Sequence, residues 1–150
     1  MLLKVNDLAP AFIGKDQNGE TVRLADFANR KLVLYFYPKD NTPGCTAQAC
    51  NLRDNYTVLL QAGYEVVGVS TDSTASHRRF VVQKQLPFRL IADTDHTIHE
   101  QYGTWVQKSM FGKQYWGTAR LTFVIDETGK IAKIIDRVHT ASHTAQILQE

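Results

Sequence analysis

The chain is poor in the features that mark most specialised protein classes. It has two cysteines in 150 residues, too few for the disulfide frameworks that staple small secreted domains. Four prolines and no low-complexity tract argue against a disordered or fibrous chain. No window approaches the ~18 consecutive apolar residues of a membrane-spanning helix. The opening MLLKVNDLAP does not read as a signal peptide, because Lys4 and Asp7 interrupt any apolar core, so a cytoplasmic location is expected. The formal net charge is only +2, and Lys and Arg are scattered singly apart from the pairs Arg30-Lys31 and Arg78-Arg79. Neither nucleic acid nor an anionic membrane is therefore indicated as a partner.

What remains is an ordinary globular composition, 43% hydrophobic and 21% charged, with no linker and no internal repeat. A single domain over residues 1–150 is the expectation. AFIGKDQNGETVRLADF reads as a hairpin turning at Asn18-Gly19. KLVLYFYP is an apolar, β-branched and aromatic run without polar alternation, the signature of a strand buried on both faces. From Thr42 the period becomes helical: Thr42 suits the N-cap, Pro43 the first helical position, and Gly63 a C-terminal stop. Cys45, Ala49, Leu52, Tyr56 and Leu59 fall on one stripe of that helix.

The alternation continues with the strand YEVVGVS, a helix capped by Asp72 or Ser73, the strand FRLIAD and a short helix around HTIHEQYG. ARLTFVID and KIAKIIDRV are two strands joined at Glu127-Thr128-Gly129, and SHTAQILQE is a closing helix. The pattern predicts an α/β sandwich around a central mixed sheet, preceded by an N-terminal β-hairpin.

Cys45 lies in the first turn of its helix, where free backbone N–H groups and the positive end of the macrodipole favour a thiolate. Thr42 brings a hydroxyl to the same turn, and Pro38 supplies a rigid ring without an N–H at the strand end. The constellation is a small, anion-friendly site with a sulfur at its floor. It lacks a full positive charge. Cys50, the other cysteine, is five residues on. In a regular helix that is about 140° around the axis and roughly 7.5 Å along it, too far for a disulfide. Either Cys50 is an inert core residue, or the helix opens during the chemistry.

Pro38-Lys-Asp-Asn-Thr42-Pro-Gly-Cys45 matches the P-x-x-x-T-x-x-C motif of the peroxiredoxins. TPGCTAQACNLRDNY, with its second cysteine, resembles the PrxQ type, also called bacterioferritin comigratory protein. APAFIGKDQNGETVRLADF, VVGVSTDS, ADTDH and KSMFGKQYWGTARLTFVID resemble that family in its own order, so nearly the whole chain is covered. The resemblance implies a thioredoxin-like fold, no cofactor and no metal. It also implies a peroxidase acting on hydrogen peroxide and organic hydroperoxides, with Cys45 as nucleophile and Thr42 and Pro38 shaping the site.

Arg120 occupies the position of the family arginine and supplies the missing charge. Cys50 is implied as resolving cysteine, through an intramolecular disulfide that thioredoxin or a similar dithiol reduces. A monomer is compatible with that chemistry. Two departures stand out: Leu121 where Ser or Thr is frequent, and Gln48 where Glu is frequent.

The rival reading within the fold class is a disulfide oxidoreductase without peroxidase activity. It would want CxxC at the helix start, where this chain has CxxxxC. A second rival is a binding domain whose cysteines merely pack. Asp93, His96 and His99 are a weak metal pattern that reads as a solvated helix face, and His139 and His143 read as surface residues. Arg53 either helps position the site or pairs with Asp54 or Gln48. Trp105, Phe111, Tyr115 and Trp116 read as packing residues that can also line the peroxide entrance.

Overall fold

The Asn18-Gly19 turn closes a short hairpin, β1 (Ile13–Lys15) and β2 (Thr21–Arg23), with Gly19 at φ 75°. This computed structural model describes residues 2–149. The apolar run expected to be buried on both faces is β3 (Lys31–Phe36), whose residues Leu32 to Phe36 are all buried. It is the middle strand of a five-stranded sheet. β4 (Tyr64–Ser70) and β5 (Arg89–Ala92) extend the sheet on one side in parallel. β8 (Leu121–Ile125) and β9 (Ile131–Ile135) complete it on the other side, antiparallel.

Alternation along β3 divides the core in two. Leu32, Leu34 and Phe36 face Phe12, Val22, Phe123 and Tyr102, on the side covered by the N-terminal hairpin and α4 (Thr97–Tyr102). Val33, Tyr35 and Tyr37 face the side covered by α1 (Pro43–Asp54), α2 (Tyr56–Gln61), α3 (Thr74–Lys84) and α5 (His143–Leu148), where Cys45, Leu52, Leu59, Phe80 and Ile147 are buried. Helices cover both faces of the mixed sheet, as the pattern predicts. Gly68 of β4 makes this packing possible. A Cβ there would lie 2.8 Å from Tyr35 Cζ and 2.8 Å from Leu90 Cδ2, so only glycine lets the Tyr35 ring cross the strand.

Two features depart from the sequence reading. The helix expected from Thr42 to Gly63 breaks at Asn55 (φ −111°, ψ 13°), whose side-chain amide donates to the Asn51 carbonyl at 2.8 Å. A side chain that bonds its own helix backbone offers the chain an alternative to continuing it. The aromatic segment before Arg120 is a second hairpin, β6 (Trp105–Met110) and β7 (Lys113–Thr118), turning at Phe111 and Gly112 with φ of 52° and 79°. It pairs only with itself and exposes Met110, Tyr115 and Trp116 as well as Phe111. Its strand pattern carries little apolar alternation, which is why periodicity did not reveal it. The closing helix ends at Leu148, and Glu150 lies outside the described residues.

Candidate active site

Pro43 and Thr42 do at the head of α1 what their types predict. Pro43 occupies the first helical position, and Thr42 has the extended backbone of an N-cap (φ −87°, ψ 155°). Its carbonyl accepts from Thr46 N at 2.8 Å and closes the turn that contains Cys45. The Thr42 hydroxyl does not cap the helix. It donates instead to the Lys39 carbonyl at 2.8 Å. With its single hydrogen spent there, it offers only lone pairs to a ligand above the sulfur. Pro38 stands half-buried at the end of β3, directly after the buried Tyr37.

Cys45 is 2% exposed, on the buried stripe of α1. Its sulfur accepts a hydrogen bond from Arg120 Nη2 at 3.2 Å, and Arg120 Nη1 donates to Gln48 Oε1 at 2.5 Å. Arg120 sits in the short connection between β7 and β8. The guanidinium packs against Gly44, where a Cβ would stand 3.4 Å from Nη2, an ordinary contact distance. The charge missing from the local sequence is thus delivered by a distant strand end. Gln48 carries it as a neutral acceptor, so no carboxylate shares the guanidinium.

Three further groups face the sulfur's surroundings. Tyr35 Oη and Gln48 Nε2 are, among the described residues, the buried side-chain polar atoms without a hydrogen-bond partner. Burial, and then the negative charge a Cys45 thiolate carries, push the Tyr35 phenol well above its usual range. Lys108 of β6 is half-buried with its stem across Gly117. Burial first, and then the Arg120 charge, lower its pKa, while Cys45 acts in the opposite sense. The hairpin therefore brings a second cation toward the site.

Cys50 is a half-buried free thiol further along the same unbroken helix. Its neighbour Asn51 bonds α1 to the C-terminal segment: Nδ2 donates to the Ala141 carbonyl at 3.0 Å, and Oδ1 accepts from Thr144 N at 2.8 Å. Arg53 takes no part in the site. It pairs with Asp54 at 2.9 Å and donates to the Lys84 carbonyl at 2.8 Å.

The histidines correct the sequence reading. His99 and Asp93 are buried, not solvated, and bond each other at 2.6 Å, with His99 Nε2 at 2.8 Å from Thr118 Oγ1. His96 stacks on Trp105. His143 is buried between Thr122 and Gln146, whereas His139 is exposed as expected. Short-range sequence gives no sign of these burials, because Thr118 and Thr122, which meet the two rings, come from elsewhere in the fold.

Ligand-type atoms of Asp40, Asp72 and His77 lie within 4.8 Å of one another, yet each is spent on an internal hydrogen bond. Asp40 Oδ2 meets His77 Nδ1 at 2.7 Å, and Asp72 Oδ2 accepts from Asp40 N at 2.9 Å. The group is a hydrogen-bonded knot and does not form an open cradle for a cation.

The wider chain agrees with the site. A match to the AhpC/TSA family covers residues 5–134. Peroxiredoxin Bcp of Escherichia coli is 47% identical over 146 residues, covering 97% of this chain and 94% of that one. Peroxiredoxin Bcp of Bacillus subtilis is 40% identical over 149 residues, covering 99% and 95%. The solved structure of Xanthomonas campestris peroxiredoxin Q superposes with a TM-score of 0.86 at 32% identity, covering 91% and 87%. Full-length likeness in sequence and fold, around a helix-start cysteine bonded to an arginine, identifies this chain as a peroxiredoxin of the AhpC/TSA family, of the Bcp or PrxQ type.

Proposed function

We propose that this thiol-dependent peroxidase works through Cys45 as the attacking thiolate, with Arg120, Thr42 and the head of α1 orienting the hydroperoxide. The observation that carries the assignment is the 3.2 Å bond from Arg120 Nη2 to Cys45 Sγ in the first turn of the helix. The sulfur attacks one peroxide oxygen along the O–O axis. The S–O bond forms as O–O breaks, and the electron pair leaves on the distal oxygen. Arg120 hydrogen-bonds the oxygens as charge moves between them, which is worth more in a buried site than in water. Thr42 accepts the hydrogen of the peroxide O–H, since its own hydrogen is held by Lys39. The leaving oxygen takes a proton to become water or an alcohol, and Cys45 is left as a sulfenic acid. Pro38 limits the access of water to this floor.

Cys50 then attacks the sulfenic sulfur, expelling water and forming the Cys45–Cys50 disulfide. Because an intact α1 holds the two side chains apart, that step requires its first turns to unwind. A dithiol reductant, thioredoxin or a protein like it, returns two electrons by thiol–disulfide exchange. A cycle of this kind needs a reducing compartment, so the cytoplasm is the assigned location, and an internal disulfide needs no second subunit. No helix among the described residues is long and apolar enough to cross a membrane. Hydrogen peroxide and organic hydroperoxides are both assigned as substrates. A structural relative, the Xanthomonas campestris bacterioferritin comigratory protein, carries an alkyl peroxide reduction activity, which supports the organic arm.

The deciding experiment is peroxide turnover coupled to thioredoxin and its reductase, with non-reducing mass spectrometry of the oxidised protein. Wild type is expected to turn over and to carry one intramolecular disulfide. Cys50→Ser is expected to stop at a sulfenic acid that dimedone traps. Normal turnover by Cys45→Ser would defeat the assignment.

A further inference from the structure

Between Pro38 and Thr42 the chain crosses from β3 to α1 without regular structure, and Asn41 takes a left-handed conformation at φ 61°. The segment carries two of the assigned site residues, yet its fixed point is Asp40, whose side chain is turned into the protein. Asp40 Oδ1 accepts from Tyr37 Oη at 2.7 Å. Oδ2 accepts from Ser76 Oγ at 2.8 Å and from His77 Nδ1 at 2.7 Å. The Asp40 N–H donates to Asp72 Oδ2 at 2.9 Å, and Ser70 Oγ holds that carboxylate at 2.7 Å. His77 is fully buried and its Nε2 lies 2.9 Å from the Ile91 carbonyl. Both ring nitrogens thus face oxygen acceptors, a pattern satisfied only when both carry hydrogen.

A carboxylate and an imidazolium taken out of water cost much solvation, and such pairs are weak contributors to stability. Packing therefore gives little reason for the pair. Its anchors do. They lie at and just beyond the ends of β3 and β4, and on α3 and β5, and none lies on α1. When the first turns of α1 unwind, every hydrogen bond that Asp40 makes can persist.

We propose that Asp40 and His77 are positioning residues of the peroxidase site, pinning the Pro38–Thr42 loop to α3 and β5 so that Thr42 holds its place through the unwinding and rewinding of α1. The proposal rests on Cys45 being the attacking thiolate. Asp40 and His77 touch neither sulfur nor peroxide and act only through the loop.

The test is step-resolved kinetics on the full chain. Reduced Asp40→Asn presents an amide to three donors, and the double variant Asp40→Ala/His77→Leu replaces the ion pair with apolar groups that leave no buried charge. Both are expected to slow Cys45 oxidation by hydrogen peroxide at least fivefold, while dithiothreitol reduction of the Cys45–Cys50 disulfide stays within twofold of wild type. Tyr56→Phe removes a remote hydrogen bond to Glu65 and is expected to leave both steps unchanged, which controls for general loosening. Ser76→Ala deletes one donor to Asp40 without disturbing charge, is expected to slow oxidation about twofold, and decides the matter if the other variants unfold. Wild-type oxidation rates in the folded variants, or equal slowing of both steps, would overturn the proposal. Failure of hydrogen peroxide to oxidise Cys45 in the wild type would instead remove the peroxidase assignment on which it rests.

Discussion

Arg120 and Cys45, 75 residues apart in the chain, meet in a hydrogen bond of 3.2 Å between Nη2 and Sγ. The contact joins a loop before β8 to the head of α1 and brings a permanent charge to the sulfur. Removing one oriented donor from such a site costs on the order of 10²–10³ in rate. Arg120→Ala is expected to lose about that factor in stopped-flow oxidation by hydrogen peroxide. Arg120→Lys is expected to recover only part of it, because a single ammonium cannot bond Gln48 and Cys45 in the same fork geometry.

Gln48 should set how much of that charge reaches the sulfur. Its Oε1 holds Nη1 at 2.5 Å as a neutral acceptor. Gln48→Glu would place a carboxylate there and divide the guanidinium's charge between two anions. Alkylation of Cys45 by iodoacetamide at pH 7 is expected to slow by about threefold or more on that ground, with the melting temperature unchanged or raised. An unaltered alkylation rate would refute this account of Gln48.

Stability should fall on mild acidification through His143. Gln146 Nε2 donates to the Arg137 carbonyl at 2.8 Å, so its Oε1 is the group that accepts from His143 Nδ1 at 2.9 Å. His143 Nε2 is then the unprotonated nitrogen and accepts from Thr122 Oγ1 at 2.9 Å. Burial first, with Arg120 adding to it against the Gln146 bond, lowers its pKa from the ordinary 6.5. A histidine whose folded pKa is depressed binds protons more readily when unfolded. Its contribution is therefore complete above about 6.5 and is lost as the pH falls through the folded value. Melting temperatures from pH 7.5 to 5 are expected to drop more steeply for wild type than for His143→Gln.

Oxidation should loosen two segments together. Asn51 follows Cys50 directly and is bonded to both Ala141 and Thr144. Hydrogen exchange of the disulfide form is expected to show lost protection in the first turns of α1 and faster exchange over residues 140–147. Asn51→Ala removes bonds that resist the unwinding. At about 1 kcal/mol each, losing both is expected to speed disulfide formation after a peroxide pulse by up to about thirtyfold.

Gly68→Ala tests the seating of Tyr35. The added methyl would lie 2.8 Å from Tyr35 Cζ and from Leu90 Cδ2, with both side chains already buried in the core. Overpacking of this kind costs about 1–3 kcal/mol, or about 2–4 °C of melting temperature per kcal/mol in a chain of this size. Little or no change in melting would show that the Tyr35 ring relocates freely.

Much of this architecture was legible because it repeats with a period. The uninterrupted run through Phe36 and the four-and-three spacing from Cys45 to Leu59 each follow from which faces must be buried. The β6–β7 hairpin escaped because neither of its faces joins the core, so its side chains obey no burial rhythm. The break at Asn55 escaped for a local reason: one side-chain amide competing for a backbone carbonyl leaves the apolar stripe intact on either side of it. His99 and His143 read as surface residues because histidine is compatible with water, and nothing in HTIHEQYG or SHTAQILQE reveals that Thr118 and Thr122 will meet them.

By itself the sequence determined the sheet's inner strands, the placing of Cys45 at a helix start, and the mismatch between Cys45 and Cys50, all consequences of local geometry and periodicity. Only the tertiary structure decided what surrounds that sulfur: Arg120 at its side, Gln48 carrying the arginine without sharing its charge, Thr42 turned to Lys39, and the loop tied down through Asp40 and His77. Apart from the local bond of Thr42 to Lys39, those contacts join residues dozens of positions apart, and no local propensity specifies them. They exist because β3, β4, β5 and β8 lie side by side in one sheet, which brings the loops at their ends to a common edge.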